Sequence, residues 1–213
     1  MTISAKDVAR LREETGAGMM NAKKALEEAG GDVAKAKEIL RQKGEAKAAK
    51  RASRSTSEGL IYSYIHTTGK LGVLLELQCE TDFVARNEQF RELAQKIAMH
   101  IAASDPQFVD DASVSVADRE RAQMEYQTEA LNSGKPESVV AKIVEGKMNK
   151  WFSEVVLLKQ PFVMDEEKTV ESLINDAIVT MGENIRVTRF ARFNIEGGMS
   201  SCEAAPLTET DEE

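Results

Sequence analysis

The chain has 213 residues, of which 42% are hydrophobic and 30% charged, and carries a formal net charge of −8. That composition suits one large or two modest soluble domains. No apolar run approaches the roughly 20 residues of a membrane-spanning helix, and the N-terminus lacks the apolar segment of a secretory signal, so the expected address is the cytosol.

The charge is unevenly spread. Residues 1–58 hold thirteen bases against nine acids, whereas 197–213 hold five acids and no base. The two cysteines form no metal-ligand spacing and no disulfide framework. Cys79 reads as an apolar filler and Cys202 as a free thiol in a polar tail, able to cross-link two chains under oxidation.

At the N-terminus, Ser4 with Asp7 three residues on forms a capping box, and Val8 and Leu11 mark the apolar side of a first helix ending at Thr15-Gly16. Met19, Ala22, Leu26 and Ala29 keep helical spacing up to Gly30-Gly31, and Asp32 caps a third helix with Val33, Ala36, Ile39 and Leu40 inside and Gly44 beyond. Residues 1–44 thus form a three-helix module. Such a unit could read DNA, bind a protein in the manner of ubiquitin-associated domains, or dock. Lys23, Lys24, Lys35 and Lys37 read more simply as a solvated face than as a base-reading surface.

Residues 45–57 read as a basic, partly helical tether without an apolar stripe. Basic clusters bind phosphates nonspecifically, but no aromatic residue is interleaved here for base stacking.

A core follows over 58–196. Leu60, Tyr62, Tyr64 and His66 alternate with Ile61, Ser63 and Ile65, Thr67-Thr68-Gly69-Lys70 turns, and Val73, Leu75, Leu77 and Cys79 alternate with Leu74, Glu76 and Gln78: a β-hairpin. After it the period becomes helical, with Phe90, Leu93, Ala94, Ile97, Ala98 and Ile101 along one stripe. Between strand and helix lies Thr81-Asp82-Phe83-Val84-Ala85-Arg86-Asn87. Composition and spacing leave Phe83 two readings. In one unbroken helix it joins the stripe as a core residue. If Asn87 restarts the helix and Thr81 caps a single preceding turn, Asp82 to Ala85 stand apart as a knuckle.

Further on, helices at about 115–132 and 137–156 flank Asn132-Ser133-Gly134-Lys135-Pro136 and should pair as an antiparallel hairpin. Val140, Ile143, Val144, Met148, Trp151, Phe152 and Val155 give the second a near-heptad stripe, opposed by Ala117, Met124 and Leu131. A helix over 170–180 precedes a third strand, Arg186 to Ile195, with Val187, Ala191, Phe193 and Ile195 on one face and Phe190 on the other. The fold class is therefore α+β: the three-helix module, then a three-stranded antiparallel sheet with helices and the inserted helical hairpin. The acidic stretch 197–213 lacks periodicity and reads as disordered.

Nothing marks an enzyme. His66 and His100 accompany no nucleophile motif, no Walker-type loop is present, and Gly16-Ala17-Gly18 falls short of a dinucleotide fingerprint. Neither a metal site nor a cofactor is expected.

The knuckle segment Thr81 to Asn87 resembles the signature of the translation elongation factor Ts family, and Leu11-Arg12-Glu13-Glu14-Thr15-Gly16-Ala17-Gly18-Met19-Met20 resembles its N-terminal signature. The match continues through Lys96 to Ser104, Ser133 to Pro136, Lys142 to Met148 and Gln160-Pro161-Phe162-Val163, covering roughly residues 1–195. The resemblance implies a guanine nucleotide exchange factor that binds elongation factor Tu-GDP, disturbs its Mg²⁺/phosphate site and promotes GDP release without covalent catalysis. It implies a ubiquitin-associated-like module whose Leu11, Arg12, Thr15, Gly16, Ala17, Gly18, Met19 and Met20 dock the partner's nucleotide domain. It likewise implies a partner-facing role for Thr81, Asp82, Phe83 and Val84, with His100 as a further contact. Longer members carry two core subdomains and an extra C-terminal helix. The resemblance to short members implies a homodimer here, giving a two-plus-two complex, with no specific nucleic acid and no membrane. The alternative from another class is an RNA-binding module of the translation apparatus acting through the basic linker.

Overall fold

The computed structural model describes residues 3–132 and 136–204. The N-terminal module is built from α1 (Ala5–Thr15), α2 (Met19–Glu28) and α3 (Val33–Arg51). Ser4 opens α1 with the capping box its sequence announces, its hydroxyl accepting from the Asp7 N–H at 3.1 Å while the Asp7 carboxylate accepts from the Ser4 N–H at 3.3 Å. Gly16 ends the helix at φ 66°, a left-handed conformation that favours glycine. Asp32 caps α3 through the Ala34 and Lys35 N–H groups. Val8, Leu11, Ala22, Ala25, Leu26 and Ala36 form a small core of their own.

The expected stop at Gly44 and the tether after it are not observed, because α3 runs on to Arg51. Ala46, Ala48 and Ala49 favour helix strongly, and the small side chains let the helix lie against the core, where Ala48 is buried. Arg51 anchors it by donating to the Ile178 carbonyl at 3.0 Å. A boundary at residue 44 therefore falls inside a continuous helix.

The remaining elements are β1 (Glu58–Ile65), β2 (Leu71–Cys79), α4 (Asp82–Ala85), α5 (Glu88–Ser104), α6 (Val116–Asn132), α7 (Glu137–Val155), β3 (Pro161–Phe162), β4 (Asp165–Thr169), α8 (Val170–Met181), β5 (Ile185–Asn194) and β6 (Gly198–Glu203). The main sheet is antiparallel in the order β1-β2-β5-β6, and β3 with β4 forms a separate small hairpin. The α+β class holds. The sheet has a fourth strand, however, supplied by part of the stretch expected to be disordered. Residues 198–203 pair with β5 from Asn194↔Gly198 to Arg189↔Glu203, so that edge contacts between strands impose order where the sequence has no apolar period. Residues 205–213 of the tail and the Ser133-Gly134-Lys135 turn lie outside the described residues.

One face of the sheet meets α5 and α8. Val73, Leu75, Leu77 and Cys79 of β2 join Phe90, Leu93, Ile97 and Ile101 of α5 and Ile174 and Ile178 of α8 in the main core. The stripe and alternation read from the sequence are all buried as read. Strand β5 departs from expectation. A register shift opposite Glu76 and Leu77 leaves Thr188 unpaired with β2 and turns Phe190 to the same covered face as Val187, with Ala191 and Phe193 on the other. A β-bulge adds one residue and so inverts the alternation beyond it. On the open face lie Ile61 and Ile65, Leu74, Phe193 and Met199, all exposed.

The helical hairpin exists, with the first helix turned differently from expectation. Ala122 and Ala130 are buried and Tyr126 is half-buried against α7, whereas Ala117, Met124 and Leu131 are exposed. Small residues at i and i+8 permit close approach, and this selects their face over the larger apolar one. At the hairpin's base Trp151 packs edge-on to Phe152 at 5.0 Å and Phe108 at 6.5 Å, over Val114, Val155 and Val156.

Candidate functional site

At the end of β2 the chain leaves the sheet, makes the single turn α4, and restarts as α5. Asn87 is the reason for the restart: its side chain accepts from the Gln89 N–H at 3.0 Å, ending the preceding turn and capping the new helix. Ala85 is buried and Val84 packs partly on the core, while Phe83 is 83% exposed. The knuckle reading of Phe83 is therefore the one the fold adopts. Asp82 forms an exposed pair with Arg86 at 3.1 Å, a contact of small energetic weight.

Thr81 occupies the N-cap position of α4 in an extended conformation, yet makes no side-chain cap bond. Its hydroxyl donates instead to Glu183 at 2.7 Å. Cys79 sits beneath, its thiol donating to the Thr81 carbonyl at 3.2 Å. Burial, with the negative charge of Glu183 adding, pushes that thiol up to about 11.

In the N-terminal module the two functions of the first signature separate. Leu11 is fully buried and belongs to the core. Arg12 and Gly18 are exposed, Thr15 and Ala17 half-buried, and the Thr15 hydroxyl donates to the Leu11 carbonyl at 2.6 Å, tying the turn to the helix before it. Met19 and Met20 begin α2 at 49% and 63% exposure. Met19 thus leaves the apolar stripe of its helix and faces solvent. The turn lies beside the end of α8, where a Cβ on Gly16 would stand 3.8 Å from the Thr180 hydroxyl.

His100 is also internal. Its Nδ1 accepts from the Val163 N–H at 3.2 Å, which leaves Nε2 to donate to the Gln160 carboxamide oxygen at 2.8 Å. Burial holds this imidazole below its ordinary pKa, against the opposing effect of the Gln160 bond. The ring fixes the small β3–β4 hairpin, at whose tip Val163 and Met164 are exposed. Glu183, Glu80 and Asn184, which lock the knuckle from below, were absent from the sequence reading, since their bonds join residues a hundred positions apart.

Two signatures with exposed apolar side chains on a scaffold without enzymatic clusters point to protein recognition. No group of His, Cys, Asp or Glu among the described residues is arranged to hold a metal. Residues 4–197 match the family profile described as Elongation factor TS. The chain belongs to the elongation factor Ts family. Relatives bearing that name include those of Oleidesulfovibrio alaskensis, 57% identical over 193 residues, and Thermosipho melanesiensis, 56% identical over 193 residues; each alignment covers 91% of this chain and 98% of the relative. The elongation factor Ts of Geotalea daltonii is 48% identical over 204 residues, covering 96% of this chain and 94% of its own length. Both signature stretches fall inside the segment matched to the elongation factor Ts family.

Proposed function

We propose that the chain is a guanine nucleotide exchange factor of the cytoplasm that binds elongation factor Tu-GDP and promotes GDP release during translation elongation. The observation that carries this reading is Phe83, a large apolar ring held out in solvent on a turn whose neighbours are buried, in a chain of the elongation factor Ts family. Exposed aromatic rings cost solvation free energy and recur as anchors of interfaces.

No covalent bond need change. The factor must bind nucleotide-free partner more tightly than GDP-bound partner, and linkage then requires GDP to weaken the factor's binding by the same ratio. A bound Mg²⁺ is often the largest local charge holding phosphates, so disturbing its surroundings loosens GDP. In this reading Phe83 enters an apolar gap in the partner, worth about 1.5 to 3 kcal/mol on burial. Asp82 supplies a polar contact, with Thr81 and Val84 at the flanks. Arg12, Thr15, Gly16, Ala17, Gly18, Met19 and Met20 dock the nucleotide domain, where methionines adapt to an irregular apolar surface. Leu11 acts from inside the module, and His100 acts through the hairpin it holds.

We assign the open face of the main sheet to a second copy of the chain. Two such faces can close as a sandwich about 10 Å thick, burying Leu74, Phe193 and Met199, and the resulting dimer would take two partner molecules. The basic segment offers little to RNA: Arg41 is paired with Glu38 and Glu45, Lys43 with Glu28 and Arg54 with Glu80, and Arg51 is bound to a carbonyl.

Release of a fluorescent GDP from elongation factor Tu tests the proposal. Wild type should accelerate release, and Phe83→Ala should lose most of that acceleration with its thermal transition unchanged, because the ring touches little of its own protein. No acceleration by wild type sinks the exchange reading; unfolding of Phe83→Ala would return the ring to the core.

A further inference from the structure

Stretches far apart in sequence meet beneath the exposed turn. In the connection after α8, one carboxylate oxygen of Glu183 accepts from the Glu80 N–H at 3.2 Å and the Thr81 N–H at 3.0 Å, and the other accepts from the Thr81 hydroxyl at 2.7 Å. The reverse link runs from Glu80, whose carboxylate accepts from the Asn184 N–H at 2.6 Å. The Asn184 amide in turn donates to the Arg54 carbonyl at 2.8 Å, which brings the end of the α3 connection into the same knot. Bonds to an ionised carboxylate are roughly twice as strong as neutral ones, and here three converge on a single side chain.

We propose that Glu183 is a positioning residue for exchange, holding the Asp82–Phe83 turn at the pitch that keeps Phe83 clear of the protein's own surface. The inference rests on the exchange-factor reading above. One isolated helical turn does not persist in water, since nucleation fixes several residues for a single bond. The far side of α4 is held by buried Ala85 and by the Asn87 cap. Its near side has Glu80 and Thr81, whose N–H groups face Glu183. Because the Thr81 hydroxyl is committed to Glu183, the turn has no side-chain cap of its own. Without the carboxylate the near side is free to shift, and the ring can fold back onto apolar neighbours. Glu183 touches no reacting group; it acts through the pose of Phe83.

Glu183→Gln keeps the shape of the side chain but replaces one acceptor oxygen with a donor. With the fold intact by circular dichroism, GDP release should slow about tenfold, the cost of losing charge-assisted bonds at a positioned group. In a Phe83→Ala background the same substitution should change nothing further, and an equal slowing there would assign Glu183 a general structural role and overturn the proposal. Hydrogen exchange on the free chain gives a reading independent of the partner: the Glu80 and Thr81 amides should lose protection in Glu183→Gln, and unchanged protection overturns the positioning role. Should Glu183→Gln fail to fold, Thr81→Val removes the hydroxyl bond alone and should likewise slow release. If wild type itself gives no acceleration, the exchange reading falls, and amide protection alone decides whether Glu183 holds the turn.

Discussion

At the scale of single residues, the two aromatic-bearing positions singled out by the signatures end in opposite places. Phe83 follows the apolar spacing of α5 but is exposed, because the Asn87 cap breaks the helix four residues later and shifts its phase. His100 lies at the border of the same stripe and is wholly enclosed. Its exposure could not be read from spacing, since the groups that enclose it come from the β3–β4 hairpin 60 residues downstream. Enclosure has a consequence for pH. The unfolded imidazole takes up a proton near its ordinary value of 6.5, while burial lowers the folded value, so the unfolded chain binds more protons as pH falls. The contribution of His100 is complete above about pH 7 and is lost progressively from there toward the folded pKa. Urea midpoints between pH 7.5 and 5.5 should fall more for wild type than for His100→Gln, which cannot take up the proton. Parallel decline in the two proteins would show that the ring does not titrate across this window.

At the scale of elements, the sequence marks most starts and stops because these are local chemistry: Ser4 with Asp7, Asp32, Asn87 and Gly16 each act within a few residues. The departures have nonlocal causes. The bulge at Thr188 turns Phe190 and Val187 to one face, and nothing in Arg186 to Ile195 alone signals an extra residue against β2. Strand β6 has no apolar alternation and is held by β5. In α6 the larger apolar residues suggested the wrong seam, since partner helix α7 accepts the alanines. That orientation predicts an asymmetry. Met124→Lys, on the exposed side, should change stability by less than about 0.5 kcal/mol, whereas Ala122→Leu, inside the seam, should overpack it at a cost of about 1 to 3 kcal/mol. Thermal or urea unfolding of the two variants reads the difference, and the reverse order of effects would place the seam on the Met124 side.

At the scale of the whole molecule, the open sheet face dominates. Ile61, Ile65, Leu74, Phe193 and Met199 stand together on it, a larger apolar surface than monomers commonly leave to water, with the Glu76–Arg189 ion pair at 2.7 Å among them. Sedimentation equilibrium should give twice the 23.5 kDa chain mass for wild type, and the chain mass for Leu74→Glu/Phe193→Glu, which brings four like charges into the closed face. A wild type that remains at the chain mass at every concentration would remove the second copy from that surface. The α+β class, the three-helix module and both signatures were legible in the sequence, but this face was not, for its composition depends on the bulge.

The end of α8 deserves a last look in mechanical terms. Its final turns receive Arg51 at the Ile178 carbonyl, border Gly44 at Val179 and Gly16 at Thr180, and lead within two residues to Glu183 under the Phe83 turn. One rod thus works as a calliper whose jaws carry Met19 and Met20 on one side and Phe83 on the other. Helical geometry makes its setting discrete: one residue added between Thr180 and Glu183 would advance the rod by about 1.5 Å and rotate it by about 100°, so the gap between the jaws can be changed in steps and has no gradual adjustment.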